Sequence, residues 1–330
     1  MRVVAAPDKF RGTATAAEVA AAIAAAATGA GATCDEVPVA DGGEGTLDVL
    51  GGPNRTRVVT GPLGDPVEAR WRYGGRTAVV EMALASGLEL VGGAEGNDAM
   101  AASTYGTGEL IGAALDAGCR RVIVGVGGSA TVDGGLGALR ALEPVARLRG
   151  VELVVACDVR TRFVDAARMF GPQKGASAAQ VELLHRRLER LVQVYESTYG
   201  VDVSELEGAG AAGGLAGGLA VAGASLVAGF DVVAEEVDLL DRIEGADLVV
   251  TGEGFLDEQS FEGKVVGGVC ELARSAGVPV VAVVGEVLDG LSVPAGLEVV
   301  SLIAEVGEER AFSDTTAAIT EVVARRLAAV

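Results

Sequence analysis

The feature that most constrains this chain is a grammar repeated near both of its ends. Short apolar runs stop at small or acidic residues, and helical segments follow. Residues 2–6 read as a buried strand and 8–12 as the loop after it. Thr15-Ala16-Ala17-Glu18 is a capping box, in which a hydroxyl and a carboxylate each satisfy a backbone N–H at a helix start. The Ala-rich helix it opens is expected to run to residue 27. A second strand, 33–39, leads into Ala40-Asp41-Gly42-Gly43-Glu44-Gly45-Thr46. In the last third, strand 247–251 precedes Gly252-Glu253-Gly254. Helix 264–276, strands 278–284 and 297–303 and a final helix 313–329 follow. Such alternation predicts a parallel sheet that receives ligands at the C-terminal ends of its strands.

The middle of the chain follows another rule. Residues 57–60, 67–73 and 77–82 are short strands separated by Gly-Pro or Gly-Gly turns, which predicts an antiparallel meander with Trp71 in its core. Helix 104–117, strand 121–126, strand 151–157 ending at Asp158, and an amphipathic helix over 177–196 come next. The expected fold is therefore α/β with two domains. A Rossmann-like parallel-sheet domain is built from both chain ends, 1–56 and 240–330. An inserted mixed α/β domain with the meander occupies 57–239, and the active site is expected in the cleft between them.

Charge and composition narrow the function. A net charge of −20 argues against nucleic acid or an anionic membrane surface as partner. Cys34, Cys119, Cys157 and Cys270 are scattered without a CxxC pair, as expected of reduced thiols in a cytoplasmic protein. The N-terminus reads as strand and loop, with no signal h-region. The longest uncharged run, 208–230, carries eight glycines and reads as a Gly-rich helix and loop inside a soluble domain rather than a membrane span. The lone histidine, His185, falls among charges on an amphipathic helix and reads as a solvated face. With no HExxH and no histidine triad, a carboxylate is the expected general base.

Three of the 26 cationic side chains are lysines: Lys9, Lys174 and Lys264. An ammonium is a compact point charge where guanidinium is a wide fork, so a crowded phosphate pocket can require lysine. Standard nucleotide motifs are absent. Gly252-Glu253-Gly254 lacks the third glycine of GxGxxG, and Glu262-Gly263-Lys264-Val265 lacks the hydroxyl and upstream glycine of a P-loop. Instead Asp8, Asp41 with Glu44, Asp133, Asp158, and Glu253 with Asp257 recur just after strands. Phosphoryl transfer needs donors around phosphate, Mg²⁺ and an aligned nucleophile. Gly127-Gly128-Ser129-Ala130-Thr131 can offer backbone N–H groups and hydroxyls to phosphate.

The chain resembles the bacterial type I glycerate kinases. The resemblance is carried by Ala6-Pro7-Asp8-Lys9-Phe10-Arg11-Gly12, by Pro38 through Thr46, and by Thr104-Tyr105-Gly106-Thr107-Gly108-Glu109-Leu110. It continues through Gly127 to Gly135, Ala156-Cys157-Asp158-Val159, Phe170 through Gly175, and Thr251-Gly252-Glu253-Gly254. These occur in family order over nearly the whole length. The resemblance implies ATP-dependent phosphorylation of D-glycerate to 2- or 3-phosphoglycerate with Mg²⁺. A related acceptor such as tartronate or a tetronate, or an inactive metabolite-binding homologue, stays open as an alternative. The chain departs from the family pattern by a shortened segment between Leu142 and Val151, by Val132 in place of the usual Asn, and over 160–169, where Arg160 and Arg162 stand. The oligomeric state is open, a homodimer included.

The expected roles follow. Asp158 is the base or hydroxyl orienter, with Asp41 and Lys9 also catalytic. Asp8, Arg11, Asp41, Gly42, Gly43, Glu44 and Ser129 bind the hydroxy acid. Gly127, Gly128, Ser129, Thr131, Lys174, Gly252, Glu253 and Lys264 bind nucleotide and phosphate. Asp158, Glu253 and Asp257 are the expected metal ligands.

Overall fold

In the computed structural model, which describes residues 1–328, the chain divides into two units: Met1–Asp41 with the segment from Phe230 onward, and Gly42–Gly229. The strands are β1 (Arg2–Ala5), β2 (Thr33–Glu36), β3 (Arg55–Thr60), β4 (Pro66–Gly74), β5 (Thr77–Glu81), β6 (Arg121–Gly125), β7 (Glu152–Ala156), β8 (Ser225–Val227), β9 (Leu248–Leu256), β10 (Val280–Val287) and β11 (Glu298–Ser301).

The first unit holds an all-parallel sheet in the order β11-β10-β9-β1-β2. Its central strands are Val- and Ala-rich because layers cover both faces. The capping box forms as expected, with Thr15 Oγ1 accepting from Glu18 N–H at 3.2 Å and Glu18 accepting from Thr15 N–H at 2.8 Å. It opens the helix Ala16–Gly29, whose Val19 and Ile23 pack with Ile319 and Val322 of the helix Thr315–Leu327. Each such side chain withdrawn from water contributes about 1.5–3 kcal/mol before entropy is charged against it. From β1 the chain steps to β2 on one side, whereas β9, β10 and β11 step outward on the other. The order therefore reverses between β9 and β1, where open α/β sheets take their ligands.

β9 runs on to Leu256, beyond the expected end at 251. Gly252-Glu253-Gly254 is thus strand rather than loop. The ladder continues because Glu253 pairs with Val284 and Phe255 with Glu286. Gly252 permits it: a Cβ there would lie 2.0 Å from the Val283 carbonyl oxygen.

The second unit has the order β3-β4-β5-β6-β7-β8, antiparallel across β3-β4-β5 and parallel beyond. The expected meander is present, with Trp71 buried against Val59, Ala69 and Val80. A second core gathers Phe163, Leu184, Leu188 and Tyr195 around the helix Ala178–Tyr199. His185 lies on this helix but is buried, its Nδ1 2.7 Å from the Val164 carbonyl oxygen. The solvated-face reading is corrected: His185 is one turn from Val181 and Leu188 and shares their inward stripe. The Gly-rich run forms the helix Ala211–Val221, kinked by positive φ at Ala212, Gly213 and Gly214. No helix among the described residues is long and apolar enough to cross a membrane.

The seams lie at 41/42 and 229/230, earlier than the expected 56/57 and 239/240. Residues 42–56 join the second unit because the buried Glu81 accepts from Leu47 N–H at 2.6 Å and Gly42 abuts Ala156. Phe230 belongs to the first unit because its ring fills the space beside Gly268. Gly42 has φ +81°, and a Cβ on it would lie 2.8 Å from Gly229 Cα and 2.9 Å from Ala156 Cβ. Gly42→Ala is expected to cost about 2–3 kcal/mol through left-handed strain plus overpacking. A urea midpoint no lower than wild type at equal m would remove that explanation of the glycine.

Candidate active site

At the reversal point of the first sheet lies a pocket of about 350 Å³. The loop after β1 supplies Asp8, Lys9 and Arg11, the segment after β2 supplies Asp41, β9 supplies Glu253, and Lys264 reaches it from the N-cap of the helix Val265–Ala276. The first loop is pinned on both sides: Asp8 N–H donates to Gly252 O at 2.8 Å and Val39 N–H to Pro7 O at 3.0 Å. Phe10 and Ala14 exchange backbone hydrogen bonds and close the turn that presents Arg11. Lys9 N–H donates to Asp8 Oδ1 at 2.7 Å, and the Lys9 ammonium lies 4.0 Å from the same oxygen.

The pocket carries two perturbed carboxyls. Burial pushes Asp8 up to about 6, against the opposing pull of Lys9, with Asp41 adding to the rise. Burial pushes Glu253 up to about 7; a hydrogen bond with Ser260 and the charge of Lys264 pull it down, while Asp8 and Asp257 push it up. Glu253 Oε1 is buried without a hydrogen-bond partner among the described residues. Asp8 is thus among the groups that hold Glu253 above the usual carboxylate range, whereas the carboxylate that raises Asp8 is Asp41.

Six of the expected residues therefore meet in one pocket: Asp8, Lys9, Arg11, Asp41, Glu253 and Lys264. Asp257, an expected metal ligand, instead caps the turn Glu258–Phe261 by accepting from Ser260 N–H at 3.0 Å. No group of three or more His, Cys, Asp or Glu placed to hold a metal ion occurs among the described residues.

The other expected residues belong to the second unit. Gly127 packs on Gly43, where a Cβ would lie 2.9 Å from Gly43 Cα, so the 42–44 turn and the loop after β6 touch through backbone. That loop is stitched to residues 86–88, with Ala130 N–H donating to Ser86 O and Leu88 N–H to Gly128 O. Lys174 lies beneath it, 3% exposed, donating from Nζ to Ser129 Oγ and to Thr131 O, each at 2.7 Å. Burial pulls its ammonium down to about 7, with Asp133 opposing. The Thr131 hydroxyl is buried and donates to Ala212 O at 3.4 Å. Asp158, just beyond β7, accepts from Gly229 N–H at 2.6 Å through Oδ1. Arg160 and Arg162 are exposed and pair with Glu207 and Glu205.

Sequence reasoning missed the apolar wall of the pocket: Phe10, Phe255, Ile303 and Phe312, with Glu286 beside them. Phe255 and Phe312 are exposed, and that exposure is invisible in a sequence whose aromatics are few. It also missed Asn97, whose Nδ2 donates to Ala130 O and Lys174 O and so ties the loop to the lysine turn.

A family model described as the glycerate kinase family matches residues 3–146 and 143–330. The chain belongs to the glycerate kinase family. It is thus an enzyme, a kinase. It is 41% identical over 327 residues to a glycerate kinase of Bacillus subtilis strain 168, covering 87% of this chain and 85% of that one. A glycerate 2-kinase of Escherichia coli K12 is 40% identical over 335 residues, covering 89% and 87%. A solved structure assigned to glycerate kinase 2 of Salmonella typhimurium LT2 matches with a TM-score of 0.86 at 34% identity, covering 100% of this chain and 98% of that one. This glycerate-kinase-family fold accords with the α/β class expected from the sequence.

Proposed function

We propose that the protein phosphorylates D-glycerate with ATP, yielding 2-phosphoglycerate. One observation carries this reading. Within a chain of net charge −20, Lys9, Arg11 and Lys264 converge with Asp8, Asp41 and Glu253 on a single pocket at the sheet's reversal point. A small carboxylate acceptor and a polyphosphate donor both need such local cations. The exposed Phe255 and Phe312 add a flat apolar wall of the kind a nucleobase occupies. Mg²⁺ enters as part of the nucleotide substrate, its shell filled chiefly by phosphate oxygens and water, so no protein cage is required. In the second unit, Gly127, Gly128 and Ser129 are proposed donors to phosphate oxygens. The 2-position is favoured by the name of the Escherichia coli relative. A cytoplasmic site of action is proposed from four cysteines that are all free thiols.

The test is ADP release with D-glycerate, tartronate and a tetronate in parallel, followed by phosphorus NMR of the product. D-glycerate is expected to give the highest kcat/KM and a 2-phosphate ester. A 3-phosphate signal would correct the position. Preference for another acceptor, or nucleotide binding without any turnover, would overturn the substrate or the activity respectively.

A further inference from the structure

Granting that functional reading, we propose that Lys174 is a positioning residue: from beneath the loop after β6 its ammonium turns the Ser129 hydroxyl outward, as a donor to a phosphate oxygen of the nucleotide. The hydrogen bonds around Ser129 leave its proton one direction. An ammonium can only donate, whereas a serine hydroxyl has one O–H and lone pairs that accept. Lys174 Nζ donates to Ser129 Oγ at 2.7 Å, so that contact takes a lone pair of the serine and leaves its proton free. Among the described residues Ser129 Oγ makes no other hydrogen bond. Its O–H is therefore left to donate away from the lysine. Nζ cannot swing aside, because it is buried and also donates to Thr131 O at 2.7 Å. Asn97 holds the arrangement from the other side, donating from Nδ2 to both Lys174 O and Ala130 O.

The loop's second hydroxyl is already committed, since Thr131 is fully buried and its one proton goes to Ala212 O. Ser129 is the hydroxyl that remains, next to the exposed Gly128. The backbone N–H groups of Gly127, Gly128 and Ser129 make no hydrogen bond among the described residues. Successive N–H groups beside a left-handed residue form the kind of concavity that receives anions, and Gly128 has φ +68°. The Ser129 O–H adds a side-chain donor to that set. A hydroxyl that accepts from a cation on one side is polarised and donates more strongly on the other. Lys174 thus acts on the nucleotide through Ser129, without touching it.

The experiment is a double-mutant cycle with Ser129→Ala, Lys174→Met and the pair. It reads Mg·ATP affinity by equilibrium binding, and KM and kcat with D-glycerate as acceptor. It is run at pH 6, below the value of about 7 to which burial pulls the ammonium, so that Nζ can only donate. Ser129→Ala is expected to weaken Mg·ATP binding about 10–100-fold, the worth of a hydrogen bond to a charged group, with kcat changed less. Lys174→Met is expected to show a similar loss, and the double variant no more than either single change. A lysine that only supported the fold would add its own loss to that of Ser129→Ala. The inference is overturned if Ser129→Ala binds Mg·ATP as wild type does, if the two losses add, or if the loss falls on KM for D-glycerate alone. Should Lys174→Met not fold, Ser129→Ala, which removes one oxygen atom, still overturns it by binding Mg·ATP normally. A wild type that binds Mg·ATP but releases no ADP with any acceptor sinks the underlying function; normal wild-type turnover with an indifferent Ser129→Ala sinks this inference alone.

Discussion

Asp133→Ala is expected to lower the unfolding free energy by about 4–6 kcal/mol, the largest loss from any single truncation argued for this chain. Asp133 is buried and accepts four hydrogen bonds: from Thr104 N–H at 2.8 Å, Thr104 Oγ1 at 2.9 Å, Gly135 N–H at 3.0 Å and Gly137 N–H at 3.1 Å. The Thr104 hydroxyl in turn accepts from Ala138 N–H at 3.0 Å. One carboxylate thus closes the starts of two helices, Tyr105–Asp116 and Leu136–Ala141. Truncation leaves those donors facing a dry cavity, each at about 1–3 kcal/mol, less whatever water and relaxation recover. Asp133→Asn keeps the shape but turns an NH₂ toward N–H donors, so it should recover only part of the loss. Urea unfolding decides: a fall below about 1 kcal/mol for Asp133→Ala would mean that water replaces the carboxylate, and the strut reading would fail.

The local parts of this fold are legible in the sequence because their causes are local. Thr15 and Glu18 satisfy each other within one turn, and the meander around Trp71 needs only alternation and glycine turns. The charged half of the pocket is legible for a similar reason. Asp8, Lys9, Arg11 and Asp41 stand just after strands, where parallel sheets present their loops. The apolar half is not, because Phe255, Ile303 and Phe312 are gathered by the β11-β10-β9 order, which no short window encodes. The continuation of β9 through Glu253 was hidden in the same way, since it depends on β10 lying alongside. The seam at Asp41/Gly42 turns on a contact of Leu47 with Glu81, 34 positions away. His185 misled because its charged neighbours concealed the inward stripe it shares with Val181 and Leu188. The scarcity of lysine flagged Lys174 but said nothing of its burial, which comes from Ser129 and Thr131 folding over it.

That burial gives Lys174 a pH signature. Its ammonium falls from the ordinary 10.5 to about 7 in the folded chain, through loss of solvent and against the pull of Asp133. Between those values the unfolded chain binds a proton that the folded chain does not. Stability from this group therefore rises with pH across the window, by up to about 1.4 kcal/mol per unit, and is flat below about 7. Lys174→Met removes the titration along with the two hydrogen bonds. The stability difference between wild type and Lys174→Met is accordingly expected to widen in favour of wild type from pH 7 to pH 9. Denaturant midpoints at several pH values measure it, and a pH-independent difference would show that the lysine keeps its proton in the fold. Lys174→Arg separates charge from size: a planar guanidinium must enter a site whose acceptors stand 2.7 Å from Nζ, at a cost of about 1–3 kcal/mol. The same change at Lys9 or Lys264, both partly exposed at the pocket, should leave the midpoint within about 0.5 kcal/mol. Lys174 holds the Ser129 hydroxyl from beneath, so if Ser129 donates to phosphate as proposed, the arginine variant should also raise KM for nucleotide more than it lowers kcat. Equal stability and equal KM in Lys174→Arg would show that the fold needs only a positive charge there and not the compact ammonium.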